Sequence, residues 1–299
     1  MATALAILPD FALILAGLVL ARAFAYGREF WAGLEKLVYY ILFPALLLRS
    51  LATAHIDLGA AGLTIGAAVA YTAAAFALSL AAGPVLRLDH RLLAGGSQCG
   101  YRFNTYVGLA IAGSLYGAQG IALAALLLGA LIPLVNLAAV AVLARNRERG
   151  MASELVRQPL VLASLAGFAW NASGLGMPAF ADHALGLLGE ASLAAGLLCV
   201  GAAMRFELPA GEWAAHAWWL IVKLAVAPAL AWLLARELGI AGMEARILLL
   251  CAALPTATSA YILAAQLGGD ARAVALQVTA GTLAAMVTLP LWLSVVIPA

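Results

Sequence analysis

Ser97 to Leu109 reads SQCGYRFNTYVGL, and the fold turns on why this segment is polar. The segments around it are almost entirely Ala, Leu, Gly and Val. This one carries Ser, Gln, Cys, Tyr, Arg, Asn and Thr, broken by Gly100 and Gly108. A second stretch of the same kind, LPTATSAY, runs from Leu254 to Tyr261.

The setting excludes most soluble explanations. Of 299 residues, 66% are hydrophobic and 10% charged, against about 25% charged in soluble domains. Too few polar residues remain to cover a water-facing surface, so the solvent of this chain is mostly lipid. The net charge is +2 and no basic cluster suits nucleic acid. Cys99, Cys199 and Cys251 lie far apart in apolar stretches, with neither a CxxC pair nor a disulfide framework. The apolar segment after Ile7 has no Lys or Arg before it, and Pro9 and Asp10 stand where a signal peptide is basic. It is read as a first membrane span.

About 20 apolar residues cross a bilayer. That rule places about ten spans, at 6–24, 34–53, 58–82, 93–115, 119–143, 159–179, 183–204, 213–235, 245–267 and 271–297. Polar residues and Gly or Pro interrupt the spans at 93–115 and 245–267. Alternate loops divide the cations unevenly. One side receives Arg22, Arg28, Lys36, Arg87, Arg91, Arg145, Arg147, Arg149, Arg157, Arg205 and Arg272; the other receives Arg49, Arg236 and Arg246. The richer side is expected in the cytoplasm, and both termini then lie on the extracytoplasmic side.

The strongest basic loop, RNRERG (Arg145–Gly150), divides five spans from five. An odd number per half makes the second half enter from the opposite face, as in inverted-repeat transporters. The expected halves are 1–144 and 159–299, joined by a cytoplasmic loop at 145–158. Each half has its interrupted span fourth. A slide of 155 residues pairs Gly100 with Pro255, Asn104 with Ser259, Gly113 with Gly268 and Leu134 with Leu289. Matched interruptions point to a binding site at the repeat interface.

Unwound backbone in a membrane must be surrounded by protein or a water-filled cavity. Gly100 and Pro255 are natural places for a helix to stop. The half-helix N-termini they free attract anions. Asn104, Thr105, Thr256, Thr258 and Ser259 offer neutral hydrogen bonds there. Arg102 offers a planar fork suited to a carboxylate, or else anchors the span by reaching headgroups or Asp89. Lys223, in the middle of the eighth span, is a functional candidate by position; it either couples protons or substrate, or neutralises helix C-terminal dipoles through freed carbonyls. Glu190 and His183, near the outer end of the seventh span, form a gate or proton relay, or are simply interfacial. Asp270 follows Gly268 and Gly269 but lacks the GxGD of intramembrane aspartyl proteases, because position 267 is Leu. The Asn171 sequon lies inside a span and is discounted. Tyr39, Tyr40, Phe43 and Pro44 form an apolar wall for a substrate, or face lipid or another subunit. No cofactor or metal cluster is expected.

GYRFNTYVGLAIAGSLYG (Gly100–Gly117) and LPTATSAYILAAQLGGD (Leu254–Asp270) resemble the fourth and ninth spans of the auxin efflux carrier family. KLVYYILFPALLLRSLA (Lys36–Ala52) looks like that family's second span, and VKLAVAPALAW (Val222–Trp232) its eighth. The resemblance covers essentially the whole chain. It implies two inverted five-helix repeats, similar to bile-acid symporters and sodium/proton antiporters. It also implies a scaffold of spans 1, 2, 6 and 7, often dimeric, and a transport domain of spans 3–5 and 8–10. Spans four and nine would cross there, hold the substrate and move as an elevator. The family includes plant auxin exporters and bacterial carriers assigned to malonate, malate and similar anions. Asn104, Pro255 and Lys223 match the family's fourth-span asparagine, ninth-span proline and eighth-span lysine. Two prolines common in the family are absent: Ala110 follows Gly108 and Leu109, and the seventh span reads EASLAAGLL.

These readings together predict an all-α polytopic protein of a bacterial inner membrane, a secondary carrier of small mono- or dicarboxylates. The short loops carry no P-loop, which argues against an ATP-driven pump. Uniport down the membrane potential favours anion export by about 2.3 kcal/mol per 100 mV; coupling to protons or sodium is the rival. An intramembrane enzyme would need a dyad, triad or metal cluster that these residues do not assemble, and a channel or sensor would lack alternating access.

Overall fold

The computed structural model describes residues 2–24, 26–54, 58–143, 159–206 and 212–295. The expected cytoplasmic loop at 145–158, with its four arginines, lies outside the described residues. Everything regular among the described residues is helical. The helices are α1 (Ala2–Ala23), α2 (Arg28–Leu37), α3 (Phe43–Thr53), α4 (Leu58–Leu86), α5 (His90–Ser97), α6 (Thr105–Leu143), α7 (Pro159–Ala172), α8 (Ala179–Ala202), α9 (Trp213–Ile221), α10 (Ala227–Glu237), α11 (Gly242–Ala253), α12 (Ser259–Leu267) and α13 (Ala271–Val295).

Seven continuous stretches among the described residues are long and apolar enough to cross a membrane. They cover expected spans one, two, three, seven, eight and ten, and one 54-residue stretch, His90–Leu143, covers four and five together. A straight helix that long would reach about 80 Å, far beyond a bilayer of about 30 Å. It is not straight. Gly117 takes φ +62°, which a glycine adopts without cost. A Cβ on Gly113 would lie 3.0 Å from Ile121 Cδ1, whereas eight residues of straight helix separate their ends by about 12 Å. The chain therefore folds back at Gly117. Expected spans six and nine fall on shorter helices. The sixth ends at Ala172 rather than 179, because Gly174 is left-handed at φ +67° and terminates it.

Two helices pass through a wider, π-helical turn just before a proline: Val38–Leu42 before Pro44, and Val222–Val226 before Pro228. Proline has no N–H for the carbonyl four residues back. For Pro228 that carbonyl is Leu224 O, and it accepts from Trp292 Nε1 at 2.8 Å. The widened turn is thus satisfied by a neighbouring helix, as a membrane interior requires.

The chain divides into two compact units. The first comprises Met1–Asp57, Leu109–Gly129 and Gly150–Ala203. Here α1 packs closely on α8: a Cβ on Gly201 would overlap the Ile14 carbonyl, and one on Gly17 would overlap Leu198 O. Small residues let helix backbones approach where lipid offers no hydrophobic drive. Arg49 grips Asp182 through two bonds of 2.7 and 3.0 Å. Asn171 Nδ2 donates to Ala52 O and Ala54 O at the end of α3. The second unit comprises Leu58–Gly108, Ala130–Arg149 and Met204–Ala299, and holds both polar stretches.

Candidate functional site

Helix α5 begins where Asp89 Oδ1 accepts from Arg91 N at 2.8 Å and Leu92 N at 3.1 Å, an N-cap. It tightens into a 3₁₀ turn at Gln98–Gly100 and stops. Regular helix resumes at Thr105. Gly100 serves this turn through space, since a Cβ there would collide with Ser79 Oγ and lie 3.3 Å from Val222 Cγ1. Helix α11 stops at Ala253 for a different reason. Leu254 precedes a proline and is extended at ψ 144°, as a pre-proline residue prefers. Helix resumes at Ser259.

Three bonds stitch the two interruptions together. Asn104 N donates to Pro255 O at 2.8 Å. Thr256 Oγ1 donates to Cys99 O at 2.7 Å. Arg102 Nη2 donates to Ser259 Oγ at 3.0 Å. These bonds join Arg102, Asn104, Pro255, Thr256 and Ser259 in one polar centre through the backbone of Cys99, next to Gly100. Thr105 opens α6 and Thr258 precedes α12, both half-buried.

Asn104 caps α6. Its Oδ1 accepts from Tyr106 N at 3.1 Å and Val107 N at 3.3 Å. Those donors fix the amide orientation. Nδ2 then points elsewhere, buried and without a partner, in a residue only 2% exposed.

Arg102 is 6% exposed, so its guanidinium lies inside the protein and not among headgroups. Nη1 donates to Gln98 Oε1 at 3.3 Å, while Asp89 is committed to its cap. The headgroup and Asp89 readings of Arg102 are therefore corrected: Gln98 and Ser259 take up its guanidinium inside the protein. Among the described residues no carboxylate pairs with it. Moreover, Nη2 bonds to Ser259, the first residue of α12, so a cation sits at the positive end of a helix dipole, where an anion is favoured.

Lys223 lies in the π-turn, 2% exposed. Its Nζ donates to Ala252 O at 3.2 Å, a carbonyl at the end of α11 that has no partner within the helix. Val222 beside it packs on Gly100. Glu190 is on α8 in the first unit, exposed, as is His183; neither belongs to the group just described.

Three polar pairs escaped a sequence reading focused on the interrupted spans. Ser114 Oγ donates to Asp10 Oδ1 at 3.1 Å inside the first unit. Gln277 Nε2 bonds His216 O at 2.8 Å and His216 Nδ1 at 3.0 Å, both residues buried. Gln98 holds Arg102. The available signal was a polar side chain in an apolar run and, for Gln98, the helical i, i+4 spacing to Arg102. Among the described residues, no three His, Cys, Asp or Glu side chains gather as metal ligands would.

A helical, apolar fold with a buried polar centre defines a polytopic membrane protein. Residues 3–293 match the model of the membrane transport protein family. The chain belongs to that family, the one its four quoted segments resemble, and is a membrane transporter. No curated protein matches the sequence.

Proposed function

We propose that the protein is a secondary carrier of small organic anions, mono- or dicarboxylates, bound where the two interrupted helices meet. One observation carries this reading: a buried guanidinium without a carboxylate partner among the described residues, held at the N-terminus of α12. An unpaired buried charge costs several kcal/mol, and an anion at this point would answer both the charge and the dipole. The free Nδ2 of Asn104 faces the same need for an acceptor.

In favour of an elevator mechanism, the helices expected as scaffold (α1–α3, α7 and α8) share one compact unit and most of those expected to move share the other, although residues 109–129 of expected spans four and five group with the scaffold. The Lys223 ammonium sits on a carbonyl end that a coupling cation would otherwise seek. That favours uniport over sodium coupling. The membrane is a bacterial inner membrane in this reading, with both termini on its outer side and a homodimer formed through the scaffold.

Counterflow in proteoliposomes tests it. Vesicles loaded with an unlabelled mono- or dicarboxylate should accumulate the labelled anion, without a sodium or proton gradient. Folded protein that exchanges no organic anion would sink the carrier reading. Exchange that requires sodium would transfer it to the symport alternative.

A further inference from the structure

Gln98 is 0% exposed, and its oxygen and nitrogen ends differ in what they meet. Oε1 accepts from Arg102 Nη1 at 3.3 Å, and its backbone O accepts from Arg102 N at 2.9 Å. A guanidinium only donates, so the amide cannot be turned around. Nε2 is then committed to the other side, where it has no partner. The same holds for Asn104, whose Oδ1 is committed to its cap. The hydroxyls of Ser97 and Tyr101 also lack partners, but a hydroxyl rotates and both gives and accepts. The two amides are informative because only their N–H groups are left over. Leaving such a donor buried and unanswered is expensive, and a carboxylate whose two oxygens are taken by Arg102 and Asn104 leaves Nε2 wanting an acceptor of its own.

We propose that Gln98 is a specificity-determining residue of this site, its Nε2 reading a second acceptor on the anion: an oxygen on the carbon beside the carboxylate. The inference rests on the anion-carrier reading above. A plain alkyl carboxylate enters the site but leaves Nε2 unsatisfied. Sites built to hydrogen-bond a substrate group discriminate strongly against analogues that lack it. The same amide tethers Arg102 through its oxygen, so charge recognition and reading of the second acceptor pass through one side chain.

The test compares pairs of similar size in proteoliposomes of the full chain: lactate or pyruvate against propionate. Wild-type protein should show kcat/KM at least about tenfold higher for the oxygenated anion. Gln98→Leu should bring the ratio close to one, mainly by loss on the oxygenated anion. Gln98→Met, which matches the length of glutamine, makes the same comparison if the leucine variant fails to fold. Two results would overturn the inference: a wild-type ratio near one, or variants that depress both anions equally, which would leave Gln98 only as the tether of Arg102. An active carrier with a flat ratio removes this inference alone. A wild-type protein that moves no anion removes the carrier reading and this inference together.

Discussion

The two interruptions that meet in the second unit reach the same backbone state by different chemistry. At Pro255 the backbone does the work: a missing N–H and an extended preceding residue end α11. At Gln98–Asn104 there is no proline, and side chains do the work. Gln98 and Arg102 bind one another, Asn104 caps the next helix, and Gly100 makes room for Ser79. The first kind of break is set locally and needs few polar side chains. The second is held by tertiary contacts, and it leaves fixed donors facing inward. Two amide N–H groups, on Gln98 and Asn104, are left over in SQCGYRFN, whereas LPTATSAY offers hydroxyls alone, which can turn to either role.

Substitutions can break this contrast or sharpen it. The largest effect is expected at Asn104. Asn104→Asp keeps an acceptor for the α6 cap but replaces the free amide by a negative charge. Anion exchange should fall by more than about 100-fold, with thermal stability near wild type. Asn104→Ala should lose both exchange and about 1 kcal/mol of cap. Wild-type exchange rates in the aspartate variant would remove Asn104 from the site.

Arg102→Ala comes next. Loss of a charge-assisted contact of about 1.5–3 kcal/mol corresponds to about a 10- to 150-fold rise in the apparent KM for anions. Arg102→Lys should fall between, because a point ammonium cannot span Gln98 and Ser259 as the fork does. An unchanged KM in the alanine variant would restrict Arg102 to bridging the two interruptions.

The contrast between the breaks is probed directly by Gly100→Ala and Pro255→Ala. Gly100→Ala should destabilise the protein by about 1–3 kcal/mol through overpacking. Ser79→Ala in the same chain should recover much of that, since the hydroxyl is the atom in the way. Non-additivity of this sort marks residues in contact, and purely additive effects would show that Gly100 is not required by Ser79. Pro255→Ala should let α11 run on and displace the carbonyl that Asn104 N uses. Transport should then drop while the protein stays folded; robust transport would mean that the break persists without its proline.

The smallest effect belongs to the scaffolding of the π-turn. Trp292→Phe leaves Leu224 O without its indole donor, at a cost of about 1 kcal/mol. Thermal unfolding of the purified protein checks it, and no shift would mean that another group or water takes the indole's place.

Much of this was legible in the sequence because lipid imposes simple rules. Composition alone required a helical membrane protein. Gly100 and Pro255 marked where two helices stop, and Asn104, Arg102, Thr256 and Ser259 stood out as polar residues in apolar runs. Legibility failed where a residue's meaning depends on distant partners. Gln98 has no role that its sequence neighbours reveal, because nothing local says that its oxygen meets a guanidinium and its nitrogen meets nothing. Arg102 was open to a substrate reading and an anchoring one, and its burial beside Gln98 and Ser259 is a matter of tertiary packing that no local pattern announces. Asp10 entered only as an acidic residue where a signal peptide is basic, because its partner Ser114 lies more than 100 residues on.

The sequence by itself determined the solvent, the helical class, the family and the places where helices break. Each follows from hydropathy, proline and glycine stereochemistry or motif, all of which act over a few residues. Only the tertiary structure decided which donors are satisfied. Hydrogen-bond accounting is a property of the packed state: Ser259 answers one arm of Arg102, Ala252 answers Lys223, and Asn104 Nδ2 and Gln98 Nε2 remain unanswered. Those remainders are what turn a poor membrane helix into a candidate binding site.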